Sequence, residues 1–509
     1  MNRLTKNVAL LASTATALCV AWSSGPMAGA ATTGTPPTTI TVDAGHTLAT
    51  VRPDALGVDD WQTDPEASTR ATGRLLHADG VRLRELNTGP WDDTYRWRTN
   101  SFDHDPITDK IDPSPKAVPW QSWVAGAKRT GAQMMVHVNY GSTADDGPSG
   151  TDIGPQEAAA WVRQANITDH DHIKYWAIGE EVWGDGYMYA GASEPDHHAL
   201  KTPTEYGRNV VRFAKAMKAV DPTINIGVEL APFASSTGGK DWNDPVLAAA
   251  GNAVDFVDVH WYNYSRDAAG NTDAALFAST GRIASTMAAI HSQLTANLGA
   301  HARQVRTVIG ETNTNAQDPG VQSTTMPSAL YAADDITTWL EQGASNVAWF
   351  VSRIGTYPDK AGSPDDPNGL GYGTWGMLSD GPQSCEKNTK GQEVCEPPLN
   401  RPYPSYYGYG MASRLAAPGA RLVPATGAGS PIVTHAAIQR NGTLVVLVEN
   451  EDPRASHDVR LNYTGYHAEP VATTYSYGAG STSPTRSHGS THSVQLAPYS
   501  MVELVLTRS

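Results

Sequence analysis

The 509-residue chain is 40% hydrophobic and carries 47 glycines and 34 prolines, a globular composition with material for a large core in one or two domains. That excludes a disordered or fibrous chain. A formal net charge of −15 offers no basic footprint for nucleic acid or an anionic membrane surface, so neither is expected as a partner.

At the amino end, Arg3 and Lys6 precede an apolar stretch from Val8 to Trp22, and Ala28-Gly29-Ala30 supplies a cleavage site. Residues 1–30 are therefore expected to be a secretory signal peptide, and the protein extracellular. A membrane anchor is the competing reading, but the run is short and broken by Ser and Thr. Leu18 is too large for the lipoprotein site that Cys19 would need, and no later segment could span a bilayer. Residues 31–47 contain TTITVDAG, expected as a strand that joins a later β domain.

From about residue 50, short apolar runs alternate with longer amphipathic ones, the pattern of repeated βα units. Eight strands are predicted: Ala55–Val58, Val81–Leu83, Met134–Asn139, Tyr175–Gly179, Ile224–Val228, Phe256–Trp261, Val305–Gly310 and Val347–Val351. Helices are predicted between them from Pro119, Gly154, Thr202, Arg282 and Pro327. The third opens on Thr202, Pro203 and Glu205, a capped start, and stops before Asp221-Pro222. This is an α/β pattern, a (β/α)8 TIM barrel over residues 48–410 with its site at the carboxyl ends of the strands. A doubly wound open sheet is the fallback, although no glycine-rich phosphate loop follows the first strand.

Late in the barrel segment, Cys385 and Cys395 flank a polar stretch and are expected to form a disulfide in an oxidising compartment, with free thiols the alternative. Residues 411–509 turn to short alternating runs, with Asn441-Gly442 as a hairpin turn, and read as an all-β sandwich. No Ser/Pro-rich linker separates the two units, so they are expected to pack directly.

Polar residues that end predicted barrel strands are the candidates for chemistry: Arg84, Asn139, Glu180, Glu181, Glu229, His260 and Glu311. Glu229 is read as an ordinary strand-end residue. Two carboxylates facing each other across a barrel mouth are what glycoside hydrolysis needs, one to protonate the leaving oxygen and one to attack or to activate water. Glu181 and Glu311 follow the fourth and seventh strands. No cofactor and no metal are expected, because His170, His172, His197 and His198 sit in polar loops without H-E-x-x-H spacing.

Order and spacing of several motifs resemble clan A of the retaining glycoside hydrolases, in particular its α-L-arabinofuranosidase-like, β-xylosidase-like and β-glucuronidase-like families. These are VNYGS from Val138, YWAIGEEVWGDGY from Tyr175, VDFVDVHWYNY with its His-x-Tyr, IGETN, NVAWF, RPYPSYYG and LAPYSMVELVL. The resemblance implies a carbohydrate substrate, Glu181 as general acid/base and Glu311 as nucleophile. It implies Arg84 and Tyr262 flanking Glu311, and His260, Asn139 and Trp349 lining the sugar subsite. Trp183 and Trp375 are further candidates for that wall.

Two departures stand out. Glu180 occupies the place where the family has an asparagine that binds the sugar 2-hydroxyl, which puts a second carboxylate beside Glu181. RELNTGPWDD replaces the family's R-x-P-G-G turn after the second strand, so the pocket is expected to be reshaped. Arabinofuranosidase action is thus a first reading, with β-xylosidase, β-glucuronidase, endo-glycanase or an inactive carbohydrate-binding barrel as alternatives, and the oligomeric state stays open.

Overall fold

A computed structural model describes residues 37–87, 89–102, 117–143, 153–185, 195–232, 241–262, 272–317, 319–359, 366 and 368–509; the expected signal peptide lies outside them. Eight parallel strands close into a barrel: β1 (Leu56–Asp60), β2 (Leu83–Leu86), β3 (Gln133–Val138), β4 (Tyr175–Ile178), β5 (Asn225–Leu230), β6 (Phe256–Trp261), β7 (Arg306–Thr312) and β8 (Asn346–Trp349). Because β1 pairs with both β2 and β8, the sheet has no open edge and the doubly wound alternative falls.

The strands alternate between two interiors. Outward residues such as Val58, Leu86, Val136, Trp176, Val228, Val259, Ile309 and Val347 pack beneath the helices. Inward Leu83, Met135, Tyr175, Ala177, Phe256 and Val308 form a separate apolar plug toward the strands' amino ends. Above the plug the inward positions turn polar and remain buried: Asp59, Glu85, His137, Glu229, Asp258 and His260.

Nine α-helices lie among the described residues: α1 (Arg70–Ala78), α2 (Trp120–Thr130), α3 (Gly154–Val162), α4 (Pro203–Lys218), α5 (Asn243–Ala250), α6 (Asp273–Ser279), α7 (Ile283–Leu298), α8 (Met326–Glu341) and α9 (Pro404–Leu415). The Thr202 side chain accepts the Glu205 N–H at the start of α4, with Pro203 inside the first turn. None of these helices is long and apolar enough to cross a membrane.

α9 runs across residue 410, where the barrel was expected to end. It carries two glycines because it lies hard against the barrel: a Cβ on Gly408 would fall 2.0 Å from the Ala329 carbonyl oxygen of α8.

The β domain is a sandwich of a seven-stranded and a four-stranded sheet around Ile40, Val42, Val446, Leu461, Leu496 and Leu504. The strand Thr38–Asp43 pairs in parallel with His457–Thr464 in the smaller sheet. Cys385 and Cys395 are disulfide-bonded across a two-stranded ribbon.

Sandwich and barrel meet at a buried charge cluster. His435 of the sandwich lies 3.0 Å from both Asp334 and Glu341 of α8. Burial opposes a charge on this ring, but the Glu341 and Asp334 carboxylates outweigh it and hold its pKa well above the usual histidine value. A group whose folded pKa is raised contributes stability below its unfolded pKa, about 6.5, and that contribution is lost as pH climbs through the folded value. His435→Gln is therefore expected to cost about 3 kcal/mol near pH 6, the deficit narrowing at alkaline pH. Denaturant titrations of both proteins across pH 5 to 10 would check this, and a pH-independent difference would refute it.

Candidate active site

The site is built where β4 stops being a strand. β4 ends at Ile178, Gly179 takes a φ of 79° and Glu181 a φ of 39°, so the chain turns sharply and strand alternation is broken. Both Glu180 and Glu181 consequently face the barrel mouth. Gly179 has no room for a side chain, since a Cβ there would lie 2.4 Å from Val182 Cγ2. Gly179→Ala is expected to lower stability by about 1–3 kcal/mol and to misplace both glutamates, measurable as a reduced denaturation midpoint together with lost turnover.

Two side chains from outside the turn hold it. Asp93, in the loop after β2, accepts the backbone N–H groups of Tyr140 and Glu180, tying together the exits of β2, β3 and β4. The Tyr206 hydroxyl of α4 donates to the Ile178 carbonyl at 2.7 Å and accepts the Glu229 N–H at 2.9 Å, bridging β4 and β5.

His260, ending β6, is the hub. Its Nδ1 lies 2.9 Å from Glu181 Oε1, 3.5 Å from Glu180 Oε1 and 3.6 Å from Glu311 Oε1. Burial works against a proton on this ring, but Glu311, Glu181 and Glu229 around it raise its pKa well above the ordinary value, so it is the site's cation.

Glu311, on β7, is held at both oxygens. Asn87 Nδ2 donates to Oε1 at 2.8 Å and the Tyr262 hydroxyl donates to Oε2 at 2.6 Å. Burial, with the Glu181 charge adding to it, lifts the Glu311 carboxyl above its usual range; His260, Tyr262 and Asn87 pull the other way.

Four expected residues are placed elsewhere. Arg84 does not flank Glu311: alternation along β2 points Leu83, Glu85 and Asn87 inward and Arg84 out. There it pairs with Asp60 at 2.5 Å, donates to the Ala67 carbonyl and lies over the Trp123 ring. Asn87, two residues past the strand's other charged position, does the flanking that Arg84 was expected to do. Trp349 likewise points out of the barrel, buried against Tyr331 of α8. Phe350 follows it at the mouth, edge-on to Trp61, Tyr262 and Trp375, and the half-buried Trp61 and Trp375 are the better candidates for a sugar-facing wall. Asn139 is engaged with its own loop and the one after β2, donating to Ser142 Oγ and to the Tyr95 carbonyl. Trp183 is buried in the main apolar core.

Glu180, Glu181, His260, Tyr262 and Glu311 are thus brought together. Asn87, Asp93, Trp61 and Phe350 were missed. Strict alternation counted onward from Leu83 would have found Asn87; no local sequence signal marks Asp93, which acts across three loops.

No family model matches the chain. An intracellular exo-α-(1→5)-L-arabinofuranosidase of Halalkalibacterium halodurans is 30% identical over 150 residues, 28% of this chain and 28% of that protein. Thus the chain matches little more than a quarter of that relative's length. The α-L-arabinofuranosidase of Thermotoga maritima, solved with arabinose, superposes with a TM-score of 0.65 at 14% identity over 92% of this chain and all of that one. The chain is similar to arabinofuranosidases. CelM2, a bifunctional glucanase-xylanase from a metagenome library, superposes almost equally, with a TM-score of 0.64 at 15% identity over 94% of this chain and all of that one. The shared fold is therefore a glycoside hydrolase fold that serves more than one sugar.

Proposed function

We propose that the protein is a retaining glycoside hydrolase, secreted by way of residues 1–30, acting on plant or microbial polysaccharide, with arabinofuranosidase action as the first reading. One observation carries it: glutamates from opposite sides of the barrel, after β4 and on β7, converge on a single imidazole nitrogen. The two distances to that nitrogen together cap their separation at the lower edge of the inverting range, about 6.5 Å, which favours the retaining arrangement.

In this reading Glu311, held at both oxygens, attacks the anomeric carbon as Glu181 protonates the departing oxygen. Water then displaces the sugar from Glu311 while Glu181 takes the proton back. His260, in contact with both carboxylates, stabilises whichever is ionised and can pass a proton to Glu181 over 2.9 Å. Trp61 and Trp375 offer apolar faces to the sugar ring.

Following the anomer released first from arabinan, xylan and arabinogalactan by proton NMR tests both halves of the reading. Net retention on one of them supports it, and an inverted first product rejects the double displacement. Glu180 motivates a second reading, a carbohydrate-binding barrel without turnover. Its carboxylate stands in a sugar-binding asparagine's place, 3.5 Å from His260. Binding without hydrolysis across the whole panel would favour that one.

A further inference from the structure

Below the glutamate pair, the barrel holds buried groups that this chemistry leaves unused. Glu85 of β2, His137 of β3 and Asp258 of β6 point inward, each 2% exposed or less, and each offers a ligand atom within 4.8 Å of the others. His137 is oriented in a telling way. Its Nδ1 lies 3.1 Å from the Gly179 carbonyl oxygen, which fixes the N–H on that side and leaves Nε2 as a lone pair. Nε2 has no hydrogen-bond partner among the described residues and faces Glu85 Oε2 at 3.9 Å. An imidazole that donates one nitrogen to a backbone carbonyl and presents the other to carboxylates has the arrangement of a metal-bound histidine.

The charge pattern agrees. Asp59 of β1, wholly buried, is close enough to Glu85 and Asp258 to be repelled by both. Carboxylates packed this way in an apolar interior need a proton or a cation. Protons alone would leave the His137 lone pair unanswered, because the nearest carboxyl oxygen on that side is too far to donate to it.

We propose that Glu85, His137 and Asp258 bind one divalent transition-metal ion of the zinc or manganese class inside the barrel, with Asp59 as the adjoining carboxylate. Mixed imidazole and carboxylate donors suit such ions, whereas calcium and magnesium favour oxygen alone. Ligand atoms 3.9 Å apart can share an ion at bonds of about 2.1 Å with a wide angle between them. The ion would neutralise the layer beneath the glutamate pair, and because the site is buried it would be taken up during folding. The proposal stands apart from the glycosidase reading, since its test reads metal content rather than turnover.

The full chain, unfolded in guanidinium with a chelator, would be refolded with zinc, with manganese or with neither. It would then be freed of loose ions by gel filtration and measured by mass spectrometry for metal and by calorimetry for Tm. One retained equivalent, a higher Tm than the metal-free sample, and loss of that equivalent in a folded Glu85→Gln/Asp258→Asn variant is the expected result. Should the variant not fold, the wild-type stoichiometry decides. Substoichiometric metal with both ions and an unchanged Tm would overturn the proposal, as would a full equivalent retained by the folded double variant.

Discussion

Glu311→Gly is expected to lower kcat on an activated aryl arabinofuranoside by about 10⁴-fold or more, with little change in Tm, and azide is expected to restore part of it. The physical reason is that the residue is presented rather than merely present. Asn87 and Tyr262 each hold one oxygen, at 2.8 Å and 2.6 Å, so the carboxylate cannot rotate away from the anomeric carbon. Removing it leaves two inward donors around a space that a small anion can fill. The rescued product should be the glycosyl azide of inverted configuration, identified by NMR. Turnover undiminished in the variant would show that Glu311 is not the nucleophile.

Glu181→Ala should divide the two halves of the reaction. With a good leaving group the first step needs little proton donation, so the glycosyl-enzyme still forms. Its hydrolysis, which needs a base, should slow by about 10²–10⁴-fold. A burst of aryl product followed by a slow steady state is the expected trace, with azide accelerating the slow phase and giving retained configuration. On a substrate with a poor leaving group no burst should appear. A variant that slows both substrates equally would mean that the acid/base role belongs to another group, and Glu180, beside the same His260 nitrogen, would be the first to test.

The barrel was legible in the sequence because each strand is a short apolar run between turn residues, and burial on both faces leaves such a run unmistakable. α1, α5, α6 and α9 were not. Three of them span nine residues or fewer, and α9 reads as a loop because Gly408 and Gly410 lower its helix propensity for the sake of close packing on α8 and Asp79. The candidate site was legible in its two glutamates and its His-x-Tyr, less so in what surrounds them. Arg84 was a candidate as a polar residue ending a strand, and the family resemblance set it and Trp349 at the mouth. Each sits on the outward parity of its strand, and a one-residue error in parity exchanges helix layer for pocket. The inward neighbours Asn87 and Phe350 take those places. Glu229, read as an ordinary strand-end residue, is buried between two imidazoles, 4.0 Å from His137 and from His260.

The pairing of Thr38–Asp43 with His457–Thr464, and of Ala49–Thr50 with Arg421–Val423, makes the barrel, in topological terms, an insertion between the first two strands of a β domain and the rest of it. A chain emerging amino end first must keep Thr38–Asp43 waiting for about 380 residues before its first partner, Ala425–Thr426, exists. Cutting the gene after the barrel would therefore not yield a clean catalytic fragment. It would strand Thr38–Asp43 as an unpaired edge with five consecutive β-branched residues, prone to pair with other chains. Fragments meant to carry either unit alone are better designed as circular permutants, with the two amino-terminal strands moved behind the last one.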